Sequence, residues 1–129
     1  MYMNNDWVEF KEDAYVEKRG KPRVLFTKKW VFRINTQALD LIGGPQAVRF
    51  LYDAGRGRIG IRAAEPEANY AFPVTRENRG YGRIIRGGMF CKRFGVQNPE
   101  STVEFDPIRV DDQGTLILDL STAKRVTTR

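Results

Sequence analysis

A mainly β protein with short helices is the fold class this sequence predicts. Three observations carry that expectation. Apolar residues recur at every second position in several short runs, the pattern of strands whose alternate side chains meet a core. Two segments that break the alternation, "TQALDLIGG" and "GMFCKRFGV", each run into glycine, as short helices do. The order strand, short helix, glycine, strand, turn, strand then occurs twice within 129 residues. That length suits one domain, or two small halves sharing a core.

The elements follow in chain order. Residues 1–22 read as an arm, in which Trp7, Val8, Phe10, Tyr15 and Val16 are spaced among charges and can dock on a core or on a partner. The first unit occupies 23–66. In "RVLFTKKWVFRIN", Val24 and Phe26, then Trp30, Phe32 and Ile34, keep period two, with Lys28 and Lys29 in the turn between them. Ala38, Leu41 and Ile42 fit one face of a short helix that Asn35 or Thr36 can cap, and Gly43, Gly44 and Pro45 end it. "AVRFLYD" and "RIGIRA" form a hairpin.

The second unit occupies 67–121. "NYAFPV" alternates Tyr70, Phe72 and Val74, with Pro73 directing it to an edge or a bulge. "TRENRGYG" reads as a polar turn and "GRIIRGG" as a short strand. Phe90 and Phe94 lie at i, i+4 on a second helix that Gly95 stops. "STVEFDPIRV", the turn "DDQG" and "TLILDL" read as a closing hairpin. Residues 122–129 read as a flexible tail.

Across the turn and into the second strand of the first hairpin runs "GRGRIG", Gly55 to Gly60, which fits the dinucleotide fingerprint G-x-G-x-x-G. The fingerprint needs a helix after it, to bring backbone N–H groups to a pyrophosphate. Here alternating Ile59 and Ile61 follow, and then Pro66. The stretch is therefore read as a hairpin turn, and no cofactor is expected.

The two units align in pattern rather than identity. At an offset of 52 residues, Phe32 falls on Ile84, Asn35 on Gly87, Ala38 on Phe90, Ile42 on Phe94 and Gly43 on Gly95. The hairpins correspond with inserted residues: Val48 and Phe50 with Val103 and Phe105, Ile59 and Ile61 with Leu116 and Leu118. Phe32, Ile34, Phe50, Ile59, Ile61, Phe105, Leu116 and Leu118 are the expected core.

Composition narrows the function. The chain has no histidine, which removes His-based triads and most zinc sites. Cys91 is the single cysteine, so no disulfide within the chain forms and a reducing, cytoplasmic setting is expected. Asp111 and Asp112 read as turn residues before Gly114. No set of side chains meets the requirements of an active site, and a non-enzyme without metal is expected. No apolar run reaches membrane-span length, and the polar start does not read as a signal peptide. The net charge of +6 is uneven: residues 21–64 hold nine basic and two acidic side chains, whereas residues 1–20 hold three basic and five acidic. A basic middle between acidic ends implies one positive face.

The firmest pieces, "IRGGMFCKRFGV", "FRINTQALDLIGG" and the strand Gly82-Arg83-Ile84-Ile85, resemble the AbrB/MazE group. In that group a strand, a short helix ending near glycine and a hairpin make a swapped-hairpin barrel. MraZ-type relatives carry two such units in one chain. The resemblance spans about residues 23–121 and implies a tandem swapped-hairpin (AbrB-like) β-barrel. It also implies DNA binding in the manner of a transcriptional regulator. The chain departs from the pattern at several positions. The usual proline after the first strand is Asn35 in one half and Gly87 in the other. Trp30-Val31 replace Gly-Arg in the first half, and the short-helix arginine is Leu39 or Cys91.

The expected nucleic-acid-binding residues are Lys28, Lys29, Arg33, Arg83, Arg86, Lys92 and Arg93, taken as one basic surface formed from both halves. Such a set suits phosphate contacts, and arginine can also read guanine edges. Arg56 and Arg58 at the hairpin tip are lesser candidates. Double-stranded DNA is the expected partner, with single-stranded nucleic acid second because Tyr81 stands among arginines and glycines. The alternative is a structural or protein-interaction module of the same fold, with residues 1–22 meeting a protein partner or a second copy.

Overall fold

The computed structural model of the chain describes residues 7–9, 21–77 and 82–126. Most of the expected arm lies outside them, as do Tyr81 and residues 127–129. Trp7 and Val8, which belong to the arm, are exposed.

The architecture is mainly β, with two antiparallel sheets and few short helices. The strands are β1 (Val24–Phe26), β2 (Val31–Ile34), β3 (Ala47–Asp53), β4 (Arg58–Ala63), β5 (Phe72–Pro73) and β6 (Thr75–Arg76). After them come β7 (Arg83–Arg86), β8 (Val103–Phe105), β9 (Arg109–Val110), β10 (Leu116–Asp119) and β11 (Ala123–Arg125). The helices are α1 (Thr36–Asp40) and α2 (Gly88–Phe94), and a 3-10 turn covers Leu120–Thr122. No helix among the described residues is long and apolar enough to cross a membrane. One sheet runs β11-β8-β1-β2-β7-β6 and the other β5-β3-β4-β10-β9. Two segments serve both. β5 pairs with β3 while β6 pairs with β7, and β8 pairs with β1 while β9 pairs with β10.

The core lies between the sheets. Phe32, Ile34, Ile59, Ile61, Phe105, Leu116 and Leu118 are buried as the alternation predicts, and Phe50 packs against them half-buried. Ring contacts tie the layers together: Phe26 stacks on Phe32 at 4.5 Å, Phe32 meets Phe50 at 5.2 Å, and Phe50 stacks on Phe90 of α2 at 4.7 Å. Such pairs add to the stabilisation from buried area.

Both helices form where the glycine stops predict them. Asn35 caps α1, its side chain accepting from the Ala38 N–H. The Gly44 N–H then donates to the Leu39 carbonyl, and the Val96 N–H donates to that of Cys91, the same helix-ending bond 52 residues later. Gly43, Gly44 and Gly95 have positive φ, which glycine adopts without strain. The first half of "GRGRIG", Gly55 to Gly57, lies in the turn between β3 and β4, where Gly57 takes a positive φ, and Arg58 to Gly60 open β4.

Several expectations need correction. Within the expected tail, Ala123–Arg125 register with Phe105–Val103 as an edge strand. Its short polar sequence hides this, because an edge strand has one solvated face. Thr75 and Arg76 are likewise a strand against β7, not part of a polar turn. The closing hairpin is split. Pro107, which has no N–H for a ladder, stands between β8 and β9, and only β9 pairs with β10. Of the expected helix face, Ala38 and Ile42 are buried, but Leu41 is 45% exposed while Leu39 is 6% exposed; α1 ends at Asp40 and Leu41 is already its C-cap. Finally, the offset of 52 suits the helices but not the strands. Phe32 stands beside Ile85, and Ile84 stands beside outward-facing Arg33. Arg86 is an extra residue between inward Ile85 and Gly87, which precedes α2; in the first half Asn35 follows Ile34 directly.

Candidate nucleic-acid interface

The outer face of the β1-β2-β7-β6 portion of the first sheet is where the expected cations begin to gather. Alternation turns Phe32, Ile34 and Ile85 inward, which leaves Val31, Arg33, Ile84 and Arg86 outward. An open groove of about 790 Å³ crosses this face, lined by Lys28, Lys29, Arg33 and Arg86, with Arg76 and Glu77 at one side. Thr27, Thr75 and Thr102 also line it. Hydroxyls interleaved with cations are the donor set that phosphate oxygens accept from.

The turn that presents Lys28 and Lys29 is held at several points. The Trp30 N–H donates to the Thr27 carbonyl, and Thr27 Oγ1 accepts from the N–H groups of Lys29 and Val31. Trp30 adopts φ 61°, a left-handed conformation costly for a bulky residue. Its ring is fixed from the far side: the indole Nε1 donates to the Val96 carbonyl at 3.1 Å. Asn98 Nδ2 donates to the Lys28 carbonyl at 2.9 Å. The second unit thus clamps the turn of the first. The left-handed backbone takes Trp30 out of the alternating row in which period two places it.

The seven expected residues do not all line one groove. Lys28, Lys29, Arg33 and Arg86 line the same groove. Arg33 is paired within it to Glu77. Arg83 registers with buried Ile34, so it sits on the opposite side of the strand from Arg86, and it donates to the Gly82 carbonyl. Lys92 and Arg93 occupy the last turn of α2, where cations suit the helix dipole. Lys92 Nζ lies 5.6 Å from the centre of the Trp30 ring, and the Arg93 guanidinium lies 5.5 Å from that of Phe94. Among the described residues, Lys28, Lys29 and Arg86 make no ion pair with a carboxylate.

The lesser candidates are occupied locally. Arg56 and Arg58 both donate to Asp53, whose carboxyl is held below its usual range first by the Arg58 hydrogen bond and then by the Arg56 N–H. Arg76 was hidden from sequence reasoning because a two-residue strand beside Pro73 carries no periodic signal. Glu77, which neutralises Arg33, left no signal either, since the two are 44 residues apart.

The described residues contain no cluster of carboxylates, cysteine and histidine that could hold a metal ion. Burial pushes the Cys91 thiol up to about 12, so it stays protonated at neutral pH and is a poor nucleophile. Comparison of the chain with protein families, with curated proteins and with solved structures finds no match.

Proposed function

We propose that this chain is a non-enzymatic protein that binds double-stranded DNA through the outer face of its first sheet, in the manner of a transcriptional regulator. The observation that carries the reading is the groove in which Lys28, Lys29 and Arg86 stand without carboxylate partners among the described residues, beside three threonines. Two of these cations sit on a turn that the second unit fixes in place, so little ordering is needed when phosphates arrive.

The finer architecture belongs to the same proposal: the sheets close as a tandem swapped-hairpin barrel of the AbrB kind. Its support is the order of pairing. β2 pairs with β7, the 72–76 segment carries the ladder to β3, and β3 pairs with β4. β4 then pairs with β10, and the 103–110 segment carries the ladder back through β1 to β2. The two central ladders also suit a pseudo-twofold axis. In one, Arg33 faces Ile84; in the other, Gly60 faces Ile117, flanked by Ile59 with Leu118 and Ile61 with Leu116. Closure of this sort removes strand edges that one unit alone would expose.

Binding that neutralises phosphates releases counterions, so affinity falls with salt at a log–log slope of roughly −0.9 per phosphate. Fluorescence anisotropy of a labelled duplex across a salt series should give a slope of about −2 to −3 for the three cations. A flat salt dependence, or no binding into the high micromolar, would refute the proposal. It would leave the interaction module, which the internal pairing of Arg33, Arg56 and Arg58 favours.

A further inference from the structure

A second groove adjoins the first. It is open, about 660 Å³ in volume, and lies between β3, the 69–73 segment and α2. Its floor is aromatic: Phe72 meets Phe50 edge-on at 4.8 Å, Phe50 stacks on Phe90, and Phe90 meets Phe94 at 5.3 Å. Three arginines, Arg49, Arg86 and Arg93, also line it, and among the described residues no carboxylate does. Arg86 lines this groove and the threonine-lined one alike, so the two meet at one residue.

Large apolar side chains stand exposed along the groove. Met89 is 78% exposed, Tyr70 57% and Phe94 49%. The Arg49 guanidinium lies 5.8 Å from the centre of the Tyr70 ring, and Arg93 lies over Phe94. Each exposed ring therefore has a cation beside it. Paired bases in a duplex keep their faces inside the stack, whereas an unpaired base offers a π-face to a ring while its phosphate meets a neighbouring cation. An apolar ligand would use the floor but leave three arginines without anions. A phosphate-bearing duplex would use the arginines but leave the rings in water.

We infer that this groove binds single-stranded nucleic acid, with bases stacked on Tyr70 and Phe94 and the backbone running past Arg49, Arg93 and Arg86 toward the threonine-lined groove. The inference rests on the nucleic-acid reading of Arg86, and it gives the protein a site for an unpaired stretch beside its duplex site.

The test uses the full chain and three fluorescent probes: an oligothymidylate, a duplex DNA, and an acidic peptide rich in leucine and phenylalanine. Tyr70→Ala should weaken oligothymidylate binding by about tenfold or more, Tyr70→Phe should restore it, and both should leave duplex binding unchanged. Phe94→Ala should act like Tyr70→Ala, with circular dichroism confirming the fold. Because Tyr70 is mostly exposed, its variants keep the test valid if Phe94→Ala unfolds. Duplex binding without oligothymidylate binding, or oligothymidylate binding indifferent to Tyr70, overturns the inference and leaves the duplex reading standing. Ring-dependent oligothymidylate binding without duplex binding does the reverse. Binding of the peptide alone overturns both.

Discussion

Gly87 shows how close the two units come. A Cβ placed there would meet Phe32 Cε1 at 2.6 Å and the Trp30 carbonyl oxygen at 3.4 Å. Phe32 cannot move aside, because it is fully buried and stacked on Phe26. Gly87→Ala should therefore cost about 1–3 kcal/mol, the range for overpacking a core, read as a lower urea midpoint at unchanged slope. Glu77 makes the opposite kind of prediction. It neutralises Arg33 inside the proposed duplex groove. Glu77→Gln should tighten duplex binding at low salt and steepen the salt slope by about one phosphate's worth, roughly −0.9. Unchanged affinity in that variant would mean that Arg33 faces no phosphate. Cys91 is buried and its thiol is pushed up to about 12. It should resist iodoacetamide in the native protein at pH 8 and react once urea unfolds the chain.

Among the elements, β11 makes the clearest claim. It covers the edge of β8, with Ala123, Lys124 and Arg125 in register, and Arg125 Nε donates to Ser101 Oγ. A chain ending at Thr122 should lose the ladder bonds at about 1 kcal/mol each, and thermal unfolding should shift downward. A truncation that melts with the full chain would assign β11 no structural role. The legibility of each element in the sequence follows from its burial. Strands with one face in the core, such as β2, β4 and β10, show period two, and Gly43 and Gly95 mark both helix ends. β6 and β11 are short and lie at an edge of their sheet, so burial imprints little pattern on them. The site was legible in part. The exposure of Lys28 and Lys29 is legible because a turn between two periodic runs must expose its tip. Arg83 was misplaced because the register that turns it to the Ile34 side depends on the antiparallel partner, β2. Lys92 and Arg93 are exposed on α2, and which groove that surface borders is a tertiary fact.

At the scale of the whole molecule, the acidic residues stabilise the fold through specific turns. Asp111 accepts from the N–H groups of Thr115 and Gln113, the former being the largest cause of its lowered pKa. Asp119 is lowered first by the Ser121 hydroxyl, and Asp106 by Lys21. A carboxyl whose folded pKa is depressed binds fewer protons in the native state. Its contribution is present above the unfolded value, about 3.9, and is lost as pH falls through the folded one. Urea midpoints should hold steady from neutral pH to about 5 and drop below about 4. Asp111→Asn should lower the neutral midpoint and flatten that drop.

The central claim is that the β1–β2 turn and Arg86 hold duplex DNA, and charge reversal tests it most directly. The triple variant Lys28→Glu, Lys29→Glu, Arg86→Glu alters three exposed side chains. It can be compared with Arg109→Glu, Lys124→Glu, whose two exposed cations lie outside the groove. Duplex anisotropy at low salt should show the triple variant losing most of its affinity and of its salt dependence, while the double variant binds nearly as the natural chain does. Equal losses in the two variants, or none in the triple, would contradict the claim.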